Sequence, residues 1–275
     1  IDGNPDMELV VVGEWMAISV FKFRNKKIET TESKDFGLDN SNGFWNKLVI
    51  ADLDGDGDND LITGNLGLNS QYRASPEQPI QCFAGDYDQN GSIDPIMTYF
   101  EGANCYPFVQ KDVLIKQIPV MKKKFVFAKD YAKATIQDIL SPKQLKESLV
   151  LSCNMVESGW WENNKGQFTF HAFPSQAQAS PIHGIIVHDL NRDGLQDILV
   201  AGNKYRMEVE TGRLDAGIGT YLQGNGKGQF TWINNLLTGI WAIHEARDLA
   251  LLNSPKEKLR IIVSNNNAPV QVFEE

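Results

Sequence analysis

Short apolar runs rich in β-branched residues alternate along the chain with clusters of Asp, Asn and Gly. They include KLVIA (47–51), LITGN (61–65), PIQCFAG (79–85), PIMTYF (95–100), GIIVH (184–188) and ILVAGN (198–203). Runs of this length bounded by turn residues predict strands rather than helices. Residues 102–148 break the pattern. There, SPKQLKESL (141–149) predicts a helix start, with Ser141 as N-cap, Pro142 at the first helical position and Gln144 closing a capping box. KDYAKATIQDIL (129–140) places Tyr131, Ala134, Ile136 and Ile139 at roughly helical spacing. The pattern predicts an all-β chain with a small helical insertion over 102–148.

Three of the polar clusters share one template. DLDGDGDND (52–60), DYDQNGSID (86–94) and DLNRDGLQD (189–197) all read D-x-[DN]-x-[DN]-G-x-x-D. Side-chain oxygens come from Asp52, Asp54, Asp56 and Asp60, from Asp86, Asp88, Asn90 and Asp94, and from Asp189, Asn191, Asp193 and Asp197. Position 7 (Asp58, Ser92, Leu195) supplies a backbone carbonyl, so its residue type is free, and the Asp58 side chain is expected to point outward. Hard oxygen donors at this density suit Ca²⁺, and the glycine at position 6 permits the sharp turn around an ion. An EF-hand starts in the same way but needs an acidic residue at position 12 and flanking helices. Here position 12 is Thr63, Met97 or Val200, and the flanks are strands. Each loop is therefore expected to connect a β-hairpin and to hold one of about three Ca²⁺ ions.

Two weaker copies frame these three. Asp2, Gly3 and Asp6 fit positions 5, 6 and 9, so the chain is expected to begin inside a repeat, as a trimmed fragment without its upstream part and any export signal. Near the other end Leu251, Asn253, Pro255 and Leu259 fall at ligand positions, and only Asn253 keeps a suitable oxygen, which predicts a hairpin without metal. A second element repeats as well, NNKGQFT (163–169) and NGKGQFT (225–231), reading as tight hairpin turns between aromatic-rich strands. A metal-loop hairpin followed by a Gly-turn hairpin makes four antiparallel strands, the blade of a β-propeller. The units are read as 1–32, 44–80, 79–173, 182–235 and 241–275, within one propeller domain spanning 1–275. The first two intact loops are close enough to share a blade. Either the chain is part of a larger propeller or its two ends complete one blade together.

With these loops between strands, and with "GN" or "NN" after them, the chain resembles the FG-GAP and VCBS repeat family, which includes the integrin α-subunit propeller and many bacterial secreted or surface proteins. The closing NNNAPVQVF resembles the last repeat of bacterial members. The resemblance implies a Ca²⁺-stabilised extracellular propeller at the cell surface. The Gly-Ala-Pro element of the integrin form is absent, so integrin ligand recognition is not carried over.

Composition narrows the function classes. A net charge of −9 offers no basic excess for nucleic acid, and eleven of the 35 acidic residues lie in the three loops. No apolar run approaches the roughly 20 residues of a membrane span. Cys82, Cys105 and Cys153 are too few for a disulfide framework and lack metal-ligand spacing. Of the four histidines, His183 and His188 stand at an odd spacing that separates them onto opposite faces. No catalytic motif and no organic cofactor site is found. Six Trp lie on or beside the predicted strands, and in Trp160–Trp161 one ring is expected in the core and the other exposed, where it could stack on a sugar. Lys122–Lys124 reads as a solvated run. Three readings stay open: a binding module for glycan or protein ligands, a polysaccharide lyase or hydrolase on the same scaffold, and a purely architectural part of a larger propeller.

Overall fold

The strand Asp197–Ala201 is buried along its whole length, because the sheet that holds it is covered on both faces. Ile198 and Val200 face one way with Leu222 and meet Ile62, Trp160 and Phe173. Leu199 and Ala201 face the other way with Tyr221 and meet Ala246, Leu249 and Val263. A strand covered on both faces needs apolar residues at every position, which is why DILVA lacks polar alternation. The computed structural model describes residues 1, 7–24, 26–208, 211–252 and 258–274. They form two units, residues 1–71 with 156–275, and residues 72–155.

The first unit is built from antiparallel sheets. One runs in chain order through Gly184–His188, Asp197–Ala201, Thr220–Gly224 and Phe230–Ile233. A second runs through Lys47–Ala51, Asp60–Gly64, Gly159–Asn164 and Gln167–Ala172. Two three-stranded sheets comprise Met7–Val11, Ser19–Arg24 and Lys27–Thr30, and Ala246–Leu252, Arg260–Asn265 and Gln271–Glu274. Gly184–His188 packs against Lys47–Ala51 on one side and Ala246–Leu252 on the other, so successive sheets meet through their first strands.

The second unit has its own four-stranded antiparallel sheet, in the order Asn104–Pro107, Asp94–Glu101, Ile80–Gly85, Leu149–Cys153. Its last strand returns beside its first, unlike the simple meander of the other two four-stranded sheets. Short helices fill the return: Lys111–Gln117, Met121–Lys124, Ala128–Tyr131, Ile136–Ile139 and Pro142–Glu147. Leu114, Ile118, Ile136 and Ile139 seal them onto the sheet at Phe83, Ile96 and Cys105. The capping box at Ser141 and Gln144 forms, with Pro142 at the first helical position. The stretch 129–140 is two short helices rather than one, because the Thr135 N–H and hydroxyl donate to Asp138 and start the chain afresh.

Three expectations change. Loops 52–60 and 86–94 lie on different sheets. The hairpin 159–172 belongs with 47–64, not with 86–94, since Trp160 and Trp161 pair with Ile62 and Leu61. Residues 79–173 are therefore no single four-stranded unit; the 72–155 unit interrupts a sheet between its second and third strands. Neither ring of Trp160–Trp161 is exposed: Trp160 lies between sheets, while Trp161 packs on Trp45 and Phe170. The sheet is covered on both faces here, so alternation sends the two rings to different cores.

The repeated "GN" after the second strand has a structural role. Asn203, fully buried, accepts from the Gly217 N–H and the Ser180 hydroxyl and donates to the Gly217 and His244 carbonyls. Asn65, equally buried, accepts from the Phe44 and Leu66 N–H groups. The preceding glycine leaves room for the incoming chain: a Cβ on Gly202 would sit 2.1 Å from the Pro181 carbonyl oxygen, and one on Gly64 would sit 2.6 Å from that of Ile182.

Candidate functional site

The three loops have one backbone conformation. In each, the residue before position 1 pairs with position 9: Ala51 with Asp60, Gly85 with Asp94, His188 with Asp197. Positions 4 (Gly55, Gln89, Arg192) and 6 (Gly57, Gly91, Gly194) all have positive φ. At position 6 nothing lies within 4 Å of an added Cβ, so the backbone angle, not space, favours glycine there.

The loop's own N–H groups aim its carboxylates inward. Asp52 accepts from the N–H of Gly55 (2.8 Å) and of Gly57 (3.1 Å). Asp86 accepts from Asn90 and Gly91, and Asp189 from Asp193 and Gly194. Position 5 in each loop accepts from position 7: Asp56 from Asp58, Asn90 from Ser92, and Asp193 from Leu195. Position 3 (Asp54, Asp88, Asn191) accepts from the N–H of position 5.

Position 9 differs in kind. Asp60, Asp94 and Asp197 are at most 3% exposed, and each accepts the N–H of position 2, from Leu53, Tyr87 and Leu190. Asp60 also accepts the Asn163 N–H at 2.9 Å, and Asp197 accepts the Gly224 N–H at 2.9 Å and the Tyr221 hydroxyl at 2.7 Å. These carboxylates tie the loop to the third strand of its own sheet. Burial pushes the Asp60 carboxyl up to about 6, with the charges of Asp54 and Asp52 adding to the effect and the two N–H donors opposing it. Asp94 is raised likewise, chiefly by burial. Burial also raises Asp54, together with the neighbouring carboxylates.

One oxygen from each of Asp52, Asp54 and Asp60 lies within 4.8 Å of the others, and Asp86, Asp88 and Asp94 repeat this. Two oxygens bound to one Ca²⁺ at about 2.3–2.6 Å stand at most about 5.2 Å apart, so the spacing fits a shared cation. In the third loop position 3 is Asn191, whose amide donates to Asp193 at 2.8 Å. The Asp58 side chain does not point freely outward; it accepts the Lys165 N–H at 3.3 Å. The weak copies cannot be placed in the same way. Asp2, Gly3 and Asp6, and likewise Asn253 and Pro255, lie outside the described residues.

Two contributors escape a reading of the loops alone. Asn163 and Gly224 supply the second buried donor from the end of the third strand, Asn163 opening the repeated Gly-turn motif and Gly224 directly preceding it. Beside each loop stands the third-strand residue before that donor: Gln223 donates to Asp193 at 3.3 Å, and Glu162, whose charge adds to that around Asp54, is hydrogen-bonded to His171 at 2.7 Å. The free cysteines Cys82, Cys105 and Cys153 are buried. Among the described residues no helix is long and apolar enough to cross a membrane.

Comparison with known families matches residues 1–63 to the family described as FG-GAP-like repeat. Comparison with curated proteins gives no match.

Proposed function

We propose that this chain, which carries an FG-GAP-like repeat, is a calcium-stabilised, propeller-type binding module that works outside the cell on glycan or protein ligands. The observation that supports it best is the threefold recurrence of one loop conformation with a buried aspartate at position 9, joined in the loops 52–60 and 86–94 by three converging carboxylates. Oxygen ligands from Asp52, Asp54, Asp56 and Asp60, and their counterparts in the other loops, would hold Ca²⁺; an ion there neutralises carboxylates that otherwise repel. The role is structural, since each loop closes on its own sheet. Ligands would then bind surfaces whose geometry the ions hold in place, and chelation would weaken that binding.

Calorimetric titration of the chelated protein with CaCl₂ tests the ion assignment. Expected are three classes of site, of which Asp54→Ala, Asp88→Ala and Asp189→Ala each remove one. Absence of saturable binding, or binding indifferent to all three substitutions, would refute it. Calcium-dependent retention on immobilised polysaccharides or surface proteins then tests the ligand class.

A further inference from the structure

Charge is segregated along the chain. Between Lys111 and Glu147 nine lysines accompany four acidic residues, Asp112, Asp130, Asp138 and Glu147, a net of +5, so the remainder of a chain of net −9 carries −14. This basic stretch is the helical part of the 72–155 unit.

Within it, Ile118, Met121 and Phe125 anchor the chain in the unit's core. The residues between and after these anchors therefore turn outward. Val120, Val126 and Phe127 are 53%, 64% and 61% exposed, and Lys122, Lys123, Lys124 and Lys129 are exposed around them. Lys129 Nζ stands 5.5 Å from the centre of the Phe127 ring, and Lys111 Nζ donates to the Val126 carbonyl at 3.4 Å, so cations and apolar groups share one patch. Among the described residues Lys122, Lys123, Lys129 and Lys133 have no ion-pair partner, whereas Lys143 pairs with Glu147 at 3.9 Å.

We infer that this patch docks the protein on an anionic phospholipid surface. The lysines meet headgroup phosphates while Val120, Val126 and Phe127 enter the boundary of the acyl region, two signals that reinforce one another. An acidic polysaccharide engages the lysines but leaves the three apolar side chains in water. An acidic protein face needs cations held in register, and among the described residues Lys122 and Lys123 have no ion-pair partner to hold them. A bilayer accepts both features without register. The inference is independent of the calcium reading.

The test is sedimentation of the whole protein with vesicles of phosphatidylcholine containing roughly 30% phosphatidylserine, and with phosphatidylcholine alone, in EDTA at about 0.1 M salt. The chelator removes calcium bridging between the acidic loops and the lipid. Expected is binding to the anionic vesicles only. Each basic residue near such a surface contributes about fivefold, so Lys122→Gln, Lys123→Gln and Lys124→Gln together should lower partitioning about a hundredfold. Val126→Ser with Phe127→Ser should lower it severalfold, with an unchanged circular dichroism spectrum. Equal partitioning into both vesicles, no binding, or binding indifferent to these substitutions overturns the inference. Lysine-dependent self-association without vesicle binding overturns it in favour of an acidic protein face.

Discussion

Asp60 and Asn163 are 103 positions apart in the chain, yet the Asn163 N–H donates to Asp60 Oδ1 at 2.9 Å. With Leu53 N–H on the other oxygen at 2.9 Å, a fully buried carboxylate holds together an acidic loop and a hairpin that a whole unit separates in sequence. Asp197 does the same with Leu190 and Gly224.

Position 9 should therefore behave unlike position 3. Asp60→Ala leaves two buried N–H groups without an acceptor, so it should cost about 2 kcal/mol even in chelator, and in calcium it should lose the ion's contribution as well. Asp54→Ala should change little in chelator, where it also relieves crowding among carboxylates. It should lose much of the calcium-dependent gain. Thermal denaturation of both variants in EDTA and in CaCl₂ separates the two roles.

Backbone angle gives a pair of opposite sign in one loop. Gly91 has φ +87° with open space around it, so Gly91→Ala should cost about 1–2 kcal/mol through conformation alone. Gln89, at φ +62°, occupies a similarly disfavoured region, and Gln89→Gly should be neutral or stabilising. Urea denaturation of the two variants gives both signs; equal losses would contradict the assignment.

Asn203 satisfies four polar groups in a fully buried position. Asn203→Ala should destabilise by about 2–4 kcal/mol. Gly202→Ala should be worse than an ordinary glycine replacement, because its Cβ would overlap the Pro181 carbonyl. Chemical denaturation against an exposed control such as Lys143→Ala checks both.

His183 contributes one part of the pH dependence, opposite in sign to that of the raised Asp60 carboxyl. Burial, then the nearby Arg247 and Lys204 charges, push its imidazole down to about 4, against the opposing Glu245 and Glu14. Arg247 donates to its Nε2 at 3.3 Å, which requires a neutral ring. A histidine depressed in the folded state supports stability above its unfolded value of about 6.5 and loses that contribution as pH falls toward 4. His183→Gln should flatten the melting temperature over that window, measured in chelator so that the acidic loops add no metal-linked change.

How much of this was legible follows from how local each feature is. The nine-residue loops could be read because their oxygens, glycine and strands lie within one stretch, and the same holds for the Ser141 cap. The partner of the 47–64 hairpin could not be read from its own residues, since strand pairing is a long-range choice. A signal was nonetheless present in the spacing. From the start of the acidic loop to the Gly-turn motif is 36 residues in one sheet (189 to 225) and 111 in the other (52 to 163), an excess of 75 that is close to the 84 residues of the interrupting unit 72–155. The two tryptophans misled because alternation implies one exposed face only where a face meets water. The "GN" repeat was visible, but which carbonyls Asn203 would reach depended on packing between segments.

The most direct measurement is thermal melting after exhaustive chelation, repeated with Ca²⁺ and with Mg²⁺ restored. Ions that bind only the folded state raise stability by about 2.7 kcal/mol for each site at 100 times its Kd. Expected is a large rise in melting temperature with Ca²⁺ and little with Mg²⁺, which keeps its waters and demands tighter octahedral geometry. An unchanged melting temperature with Ca²⁺, or an equal rise with both ions, would contradict the claim that these loops are calcium sites.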